Sequence, residues 1–211
     1  MSVIPRQQGM TLVELMVAMA MGLVVILAAT TLFSATVGAS SIATRMTVLR
    51  SDLNIVANMM SADIRRAGFS ADATDAFGKE ACSSDFENNC PFTFKASRDL
   101  TSSCVIARMD ANEDGALDIN TDEVRGYVFE SNMVHFVKSW TGTPSCATVA
   151  TKEAMALPDD LTLSNISFSY EAGATDTGIR SVVISITGAS GRTPELTMTL
   201  NQEVRLRNDD L

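Results

Sequence analysis

The chain has one histidine, one tryptophan and five prolines in 211 residues, and its 16 basic residues are outnumbered by 25 acidic ones. Each shortage excludes something. His135 sits between Val134 and Phe136 in a strand-like run, so it reads as a structural or surface residue, not a base or a ligand. No Gly-x-Ser-x-Gly elbow, His-Glu-x-x-His pair, phosphate-binding glycine loop or dinucleotide fingerprint occurs. An enzyme is therefore not expected. The net charge of −9 argues against a broad nucleic-acid footprint, which needs clustered Lys and Arg to displace counterions. No Cys-x-x-Cys pair is present, which removes the usual zinc spacing. No proline falls between Pro5 and Pro91, so nothing there forces a helix to break.

The largest absence is of charge. From Leu15 to Thr44, 30 residues, there is none; Arg6 and Glu14 precede the run and Arg45 follows it. Its most apolar part, Leu15 to Phe33, is about long enough to cross a bilayer as a helix. Glu14 at the entrance is then costly. A carboxylate at a helix centre in lipid costs about 2.5–3.5 kcal/mol on insertion scales, less toward the end. Such an acid needs a partner.

The stretch Gly9-Met10-Thr11-Leu12-Val13-Glu14, with a short leader before it and the apolar run behind, resembles the type IV prepilin signal. The resemblance implies cleavage between Gly9 and Met10 by a prepilin peptidase on the cytoplasmic face, and N-methylation of the new Met10 amine. It also implies that Glu14 neutralises the N-terminal amine of a neighbouring subunit, which supplies the missing partner. A secretory signal peptide cut near Ser34-Ala35 or Gly38-Ala39, or a plain membrane anchor, leaves Glu14 and Gly9 unexplained.

The expected organisation is a leader, residues 1–9, that is removed; a long helix, residues 10–68, of which about 12–33 is membrane or filament core; and a globular head, residues 69–211. Arg6 before the apolar run and an acidic body after it orient the N-terminus to the cytoplasm and the head outward, into the periplasm of a Gram-negative cell. Cys82, Cys90, Cys104 and Cys146 all lie beyond the run and read as up to two disulfides in an exported domain. Of the three pairings possible, Cys82–Cys90 with Cys104–Cys146 is preferred.

An unbroken helix from about Thr11 to about Ala67 would be a rod of roughly 85 Å at ~1.5 Å per residue. In its second half Ile42, Met46, Leu49, Leu53, Val56, Met60, Ile64 and Ala67 recur every three or four residues, an amphipathic stripe for a core. Gly68 ends it. Residues 71–89 read as a polar surface loop, and Pro91 to Phe94 as the start of a short strand. Strands are expected at Ser103–Met109, Val124–Phe129, Met133–Val137, Leu161–Tyr170 (with a slip at Ser164-Asn165), Ile179–Thr187 and Leu196–Leu206. Turns are expected at Glu130-Ser131-Asn132, Gly173–Gly178 and Gly188–Pro194. Trp140 reads as a turn-flanking aromatic. The fold class is α+β: a long helix whose stripe lies on an antiparallel sheet.

Ile64-Arg65-Arg66-Ala67-Gly68-Phe69 and Glu203-Val204-Arg205-Leu206-Arg207-Asn208 look like the PilW family of minor pilins; J-type pseudopilins of type II secretion are similar in size and layout. The resemblance implies a structural subunit that primes or caps a filament. Its partners would be other minor pilins and the major pilin, joined through the N-terminal helix, with an inner-membrane stage before assembly at the cell surface. A membrane-anchored, calcium-dependent binding module is the reading from another class.

One stretch offers a ligand site. Asp110, Asn112, Asp114, the carbonyl of Ala116 and Asp118, with Gly115 for the sharp turn, resemble the first half of an EF-hand calcium loop. Thr121 stands where such a loop closes with a bidentate Glu, and Asp122 or Glu123 would have to substitute. The other reading is an acidic, solvated turn between strands.

Overall fold

With nothing to break it, Leu12–Arg66 forms one helix, α1, in a computed structural model of the chain. The structure describes residues 9–71, 94, 96–140, 142–147, 149–171 and 180–206. The leader before Gly9, Cys82 and Cys90 with most of their loop, Pro91–Thr93, the turn at Gly173–Gly178 and Arg207-Asn208 lie outside the described residues. The chain divides into two units, Met1–Met46 and Thr47–Leu211.

In the second unit the helix stripe is buried at Leu49, Leu53, Val56, Ala57, Met60 and Ile64, and Ala67 continues it just past the helix end. The expected stripe starts too early: Ile42 is exposed and Met46 only half-buried. Periodicity says which face could be covered, and burial begins only where something packs over it. At the far end Gly68 takes φ of 80°, the left-handed turn that lets a chain leave a helix without a Cβ clash. Its N–H donates to the Arg108 carbonyl at 2.8 Å.

Among the described residues the rest of that unit is mostly strands, and the expected single sheet is two. A short helix, α2 (Ala96–Asp99), leads into an antiparallel sheet in the order β1 (Leu100–Thr101), β2 (Cys104–Arg108), β3 (Val124–Glu130), β4 (Met133–Trp140) and β5 (Val149–Ala154). A three-stranded antiparallel meander follows, β6 (Leu161–Glu171), β7 (Ser181–Ser190) and β8 (Thr193–Arg205). Hydrogen bonding from the Phe168 N–H to the Ser102 carbonyl ties the two sheets together. The architecture is α+β, as expected.

The strand sequences explain the layers. All five residues of β2 are buried, because both faces of the first sheet are covered. One face, with Val105, Ala107, Met109, Tyr127 and Val134, joins the helix stripe and the second sheet in the main core. The other, with Cys104, Ile106, Val124, Val128, Val137 and Trp140, forms a smaller cluster. Trp140 is thus a buried core residue lying over Gly126, where a Cβ would come within 2.9 Å of its ring. Cys104 and Cys146 are joined by a disulfide across 42 residues of sequence, a closure that restrains the unfolded chain. The β3–β4 hairpin turns at Ser131 and Asn132, both with positive φ, which matches the strands' twist. The slip at Ser164-Asn165 is a bulge in the β6–β7 pairing.

The turn expected over Gly188–Pro194 is shorter than that. Gly188 to Ser190 belong to β7, Thr193 and Pro194 to β8, and only Gly191 and Arg192 turn. Asp160 holds them: its carbonyl accepts from Gly191 N–H at 2.7 Å and its Oδ1 from Arg192 N–H at 2.9 Å. Gly188 is needed inside the strand, because a Cβ there would meet Leu53 at 2.9 Å and the Thr162 carbonyl at 3.2 Å. β5 escaped the sequence reading. Its Lys152 and Glu153 suit an exposed sheet edge better than they suit β propensity.

One buried acid fastens the helix to the sheet. Asp63, one turn before the helix ends, is 5% exposed. Its Oδ1 accepts from Arg125 Nη1 at 2.9 Å and its Oδ2 from the Tyr127 hydroxyl at 2.6 Å. Both partners lie on β3. Burial, the hydrogen bond to Asp63 and the carboxylate's negative charge together push the Tyr127 hydroxyl well above the ordinary phenol range.

Asp63→Asn leaves Arg125 with only Asp122, exposed and 3.8 Å away, as a counter-charge. Since Arg125 is about a quarter exposed, the loss should fall below that of a fully buried pair, at about 2–3 kcal/mol, or roughly 5–10 °C in melting temperature. Thermal unfolding of the detergent-solubilised chain measures it; a shift under a degree would mean that the cluster does not hold the helix. The raised Tyr127 also sets a pH dependence. The native state keeps this proton more tightly than the unfolded chain, so the stability is fully present below the ordinary tyrosine pKa of about 10. It is lost as pH rises beyond that value. Tyr127→Phe should flatten the fall in unfolding free energy between pH 9 and 11, roughly the window set by that ordinary pKa.

Candidate assembly segment and acidic loop

Every residue from Gly9 to Arg45 is exposed. Leu12–Arg66 is the helix long and apolar enough to cross a membrane, and none of its most apolar window is buried. Four threonine hydroxyls in this stretch are satisfied within the helix. The hydroxyls of Thr30, Thr31, Thr36 and Thr44 donate to the carbonyls of Leu27, Ala28, Leu32 and Ser40 at 2.8–2.9 Å. That arrangement suits an environment without water, where unpaired hydroxyls are expensive.

The helix start is built by Thr11. Its Oγ1 accepts from the Glu14 N–H at 3.3 Å and its carbonyl from the Leu15 N–H at 3.2 Å. Thr11-Leu12-Val13-Glu14 therefore has capping-box spacing, which the sequence reading did not use. An acid in the first turn gains about 0.3–1 kcal/mol from the helix dipole. This local benefit is smaller than the cost of an unneutralised carboxylate deep in an apolar medium. Among the described residues no cation meets the Glu14 side chain, which is exposed. Gly9 and Met10 are exposed beside it.

In the head, the loop after β2 collects carboxylates. Asp110 is fully buried. Its Oδ1 accepts from the Asp114 N–H at 3.2 Å, and its Oδ2 from the N–H groups of Gly115 at 3.1 Å and Ala71 at 3.0 Å. Asn112 Nδ2 donates to Asp114 Oδ2 at 2.9 Å, and Asp114 Oδ1 accepts from the Ala116 N–H at 2.8 Å. Gly115 has φ of 76° and Glu113 of 63°, so the chain reverses sharply here. Asp110, Asp114 and Glu123 each bring a carboxylate oxygen within 4.8 Å of the others. Asp118 stands outside that group. It is exposed, and its backbone N–H donates to Glu123 Oε2 at 2.7 Å. Asp122 is turned to Arg125, 3.8 Å away.

The remaining singled-out residues have structural surroundings. His135 is half-buried in β4, paired with Val128 and Ala154. Asp99 and Arg108, both buried, form an ion pair at 3.0 Å, and Arg108 also donates to the Pro144 carbonyl, near Cys146. Asp63, Arg125 and Tyr127 were not singled out by sequence. An isolated acid on the helix stripe was the one signal that could have found them.

Comparison with known proteins adds two matches. Residues 4–30 match the prokaryotic N-terminal methylation motif. Residues 43–206, most of the chain and nearly all of the described head, match the family model of prepilin peptidase-dependent protein B. No curated protein and no solved structure matches the chain. A methylation motif that runs into an exposed apolar helix, and a family match over the α+β head, lead to one assignment: the chain belongs to the prepilin peptidase-dependent protein B family, a family of structural, pilin-like proteins.

Proposed function

We propose that this chain is a PilW-like minor pilin, a subunit that primes or caps a type IV pilus. The observation that carries the reading is the helix surface from Leu15 to Thr44, uncharged and wholly exposed, with one carboxylate at its entrance. Before assembly the segment sits in the inner membrane with the head in the periplasm. Prepilin peptidase cuts between Gly9 and Met10, and the new Met10 amine is methylated. On assembly the apolar surfaces of neighbouring subunits, other minor pilins and the major pilin, cover one another. Glu14 of one subunit then meets the Met10 amine of the next, and the pair is neutral inside the bundle. Such a contact joins two different patches, so it does not close on itself and propagates as a helical filament. The filament carries the head to the cell surface.

A type II secretion pseudopilin would use the same segment in the same way, so the machine has to be read in cells. In a deletion strain, surface pili counted by microscopy should fall sharply while the profile of secreted proteins stays normal. Intact pili with enzymes trapped in the periplasm would make the chain a pseudopilin. Complementation with Glu14→Ala should leave the protein in the membrane fraction and reduce its recovery in sheared filaments at least tenfold. That corresponds to about 1.4 kcal/mol, less than the cost expected of an unneutralised amine in the bundle. Normal recovery of the variant would overturn the role given to Glu14.

A further inference from the structure

The geometry points to a calcium site in the head, formed by the loop Asp110–Asp118 and closed by Glu123 from the foot of β3. The acidic loop alone would be only a solvated turn. The added observation is Glu123. It is 1% exposed, its Oε2 is held by the Asp118 N–H, and its Oε1 is buried with no hydrogen-bond partner. A buried carboxylate oxygen left unpartnered costs free energy, a cost that a bound cation would offset. Here it belongs to a side chain whose carboxylate lies within 4.8 Å of those of Asp110 and Asp114, and Asp110 is buried as completely as Glu123.

The donor set is all oxygen, which selects a hard cation. Oxygens spaced this way suit Ca–O distances of about 2.3–2.6 Å better than the tighter octahedron of magnesium. Asn112, exposed on the same loop, and the Ala116 carbonyl are the neutral donors available to complete the shell, with water. In an EF-hand loop the closing Glu is the twelfth residue, where this chain has Thr121. Here the closing acid comes two residues later, because the loop runs into a strand, β3, instead of a helix.

The position gives the ion a structural task. Asp110 also holds the chain leaving α1: its N–H donates to the Phe69 carbonyl at 2.8 Å and its Oδ2 accepts from the Ala71 N–H. Two residues past Glu123, Arg125 reaches Asp63 in the last turns of the helix. Binding would therefore fix both strands that grip the helix's exit.

The test is calorimetric titration of the EDTA-stripped, detergent-solubilised full chain with calcium chloride, paired with thermal unfolding. One calcium per chain is expected, with a dissociation constant at or below about 1 mM, the range of extracellular calcium modules. Calcium should raise the melting temperature by several degrees, and equal magnesium should not. Asp114→Asn, at an exposed position, and Glu123→Gln, a buried isostere, should each weaken binding at least tenfold. Without metal, Glu123→Gln should melt at or above the wild type, since it removes an unpaired buried charge. Absence of saturable calcium binding up to about 10 mM, ten times that range, or wild-type affinity in both variants, would overturn the site. This readout does not involve filaments, so it stands or falls separately from the assembly role.

Discussion

An apolar helix surface that nothing covers is the constraint on which the rest of this protein depends. Leu15, Val17, Leu23, Val24, Val25, Ile26, Leu27, Leu32 and Phe33 are each roughly half to three-quarters exposed. Covering such a side chain fully is worth about 1.5–3 kcal/mol, so leaving this group in water would forfeit about as much as the 5–15 kcal/mol that holds a typical domain folded. The segment must live in lipid or against other helices. Both settings are consistent with the family, which joins an N-terminal methylation motif to a pilin-like head.

The same helix meets a different demand from Leu49 onward. There its stripe is buried against two sheets, and its last turns are fixed by polar contacts in addition to apolar area. Asp63 binds Arg125 and Tyr127, and Gly68 hands the chain to β2. Apolar packing is tolerant of small slides along a helix axis, whereas a buried carboxylate between two defined donors is not. The helix is held in one register on the head by chemistry at its end. The acidic loop lies next to that clamp and shares β3 with it.

Much of this was legible in the sequence because it rests on period and punctuation. The uncharged run, the stripe from Leu49 to Ala67, Gly68 as terminator and six of the eight strands among the described residues follow from spacing and turn residues. What was not legible depends on distant partners. Ile42 fits the stripe's period, but nothing in a period says where the covering layer stops. Gly188 reads as a turn residue, and it is a strand residue only because Leu53 approaches it across the core. β5 has an edge strand's composition, which resembles a loop's. Trp140 needed Gly126 beneath it to become a core residue. In the acidic loop the sequence left Asp122 and Glu123 as alternatives. The fold separates them, since the turn into β3 sends Asp122 toward Arg125 and Glu123 inward.

The most direct test of the account is the mature N-terminus. The chain would be purified from the membranes of its own host and its N-terminal peptide identified by mass spectrometry, with and without an active prepilin peptidase. An assembling pilin requires that the peptide begin at Met10, carry a methylated amine, and revert to the uncut form when the peptidase is lost. A peptide beginning at Met1 in both strains would make α1 a plain anchor. One beginning near Ala35 or Ala39 would make its first half a discarded secretory signal. Either result would contradict the account.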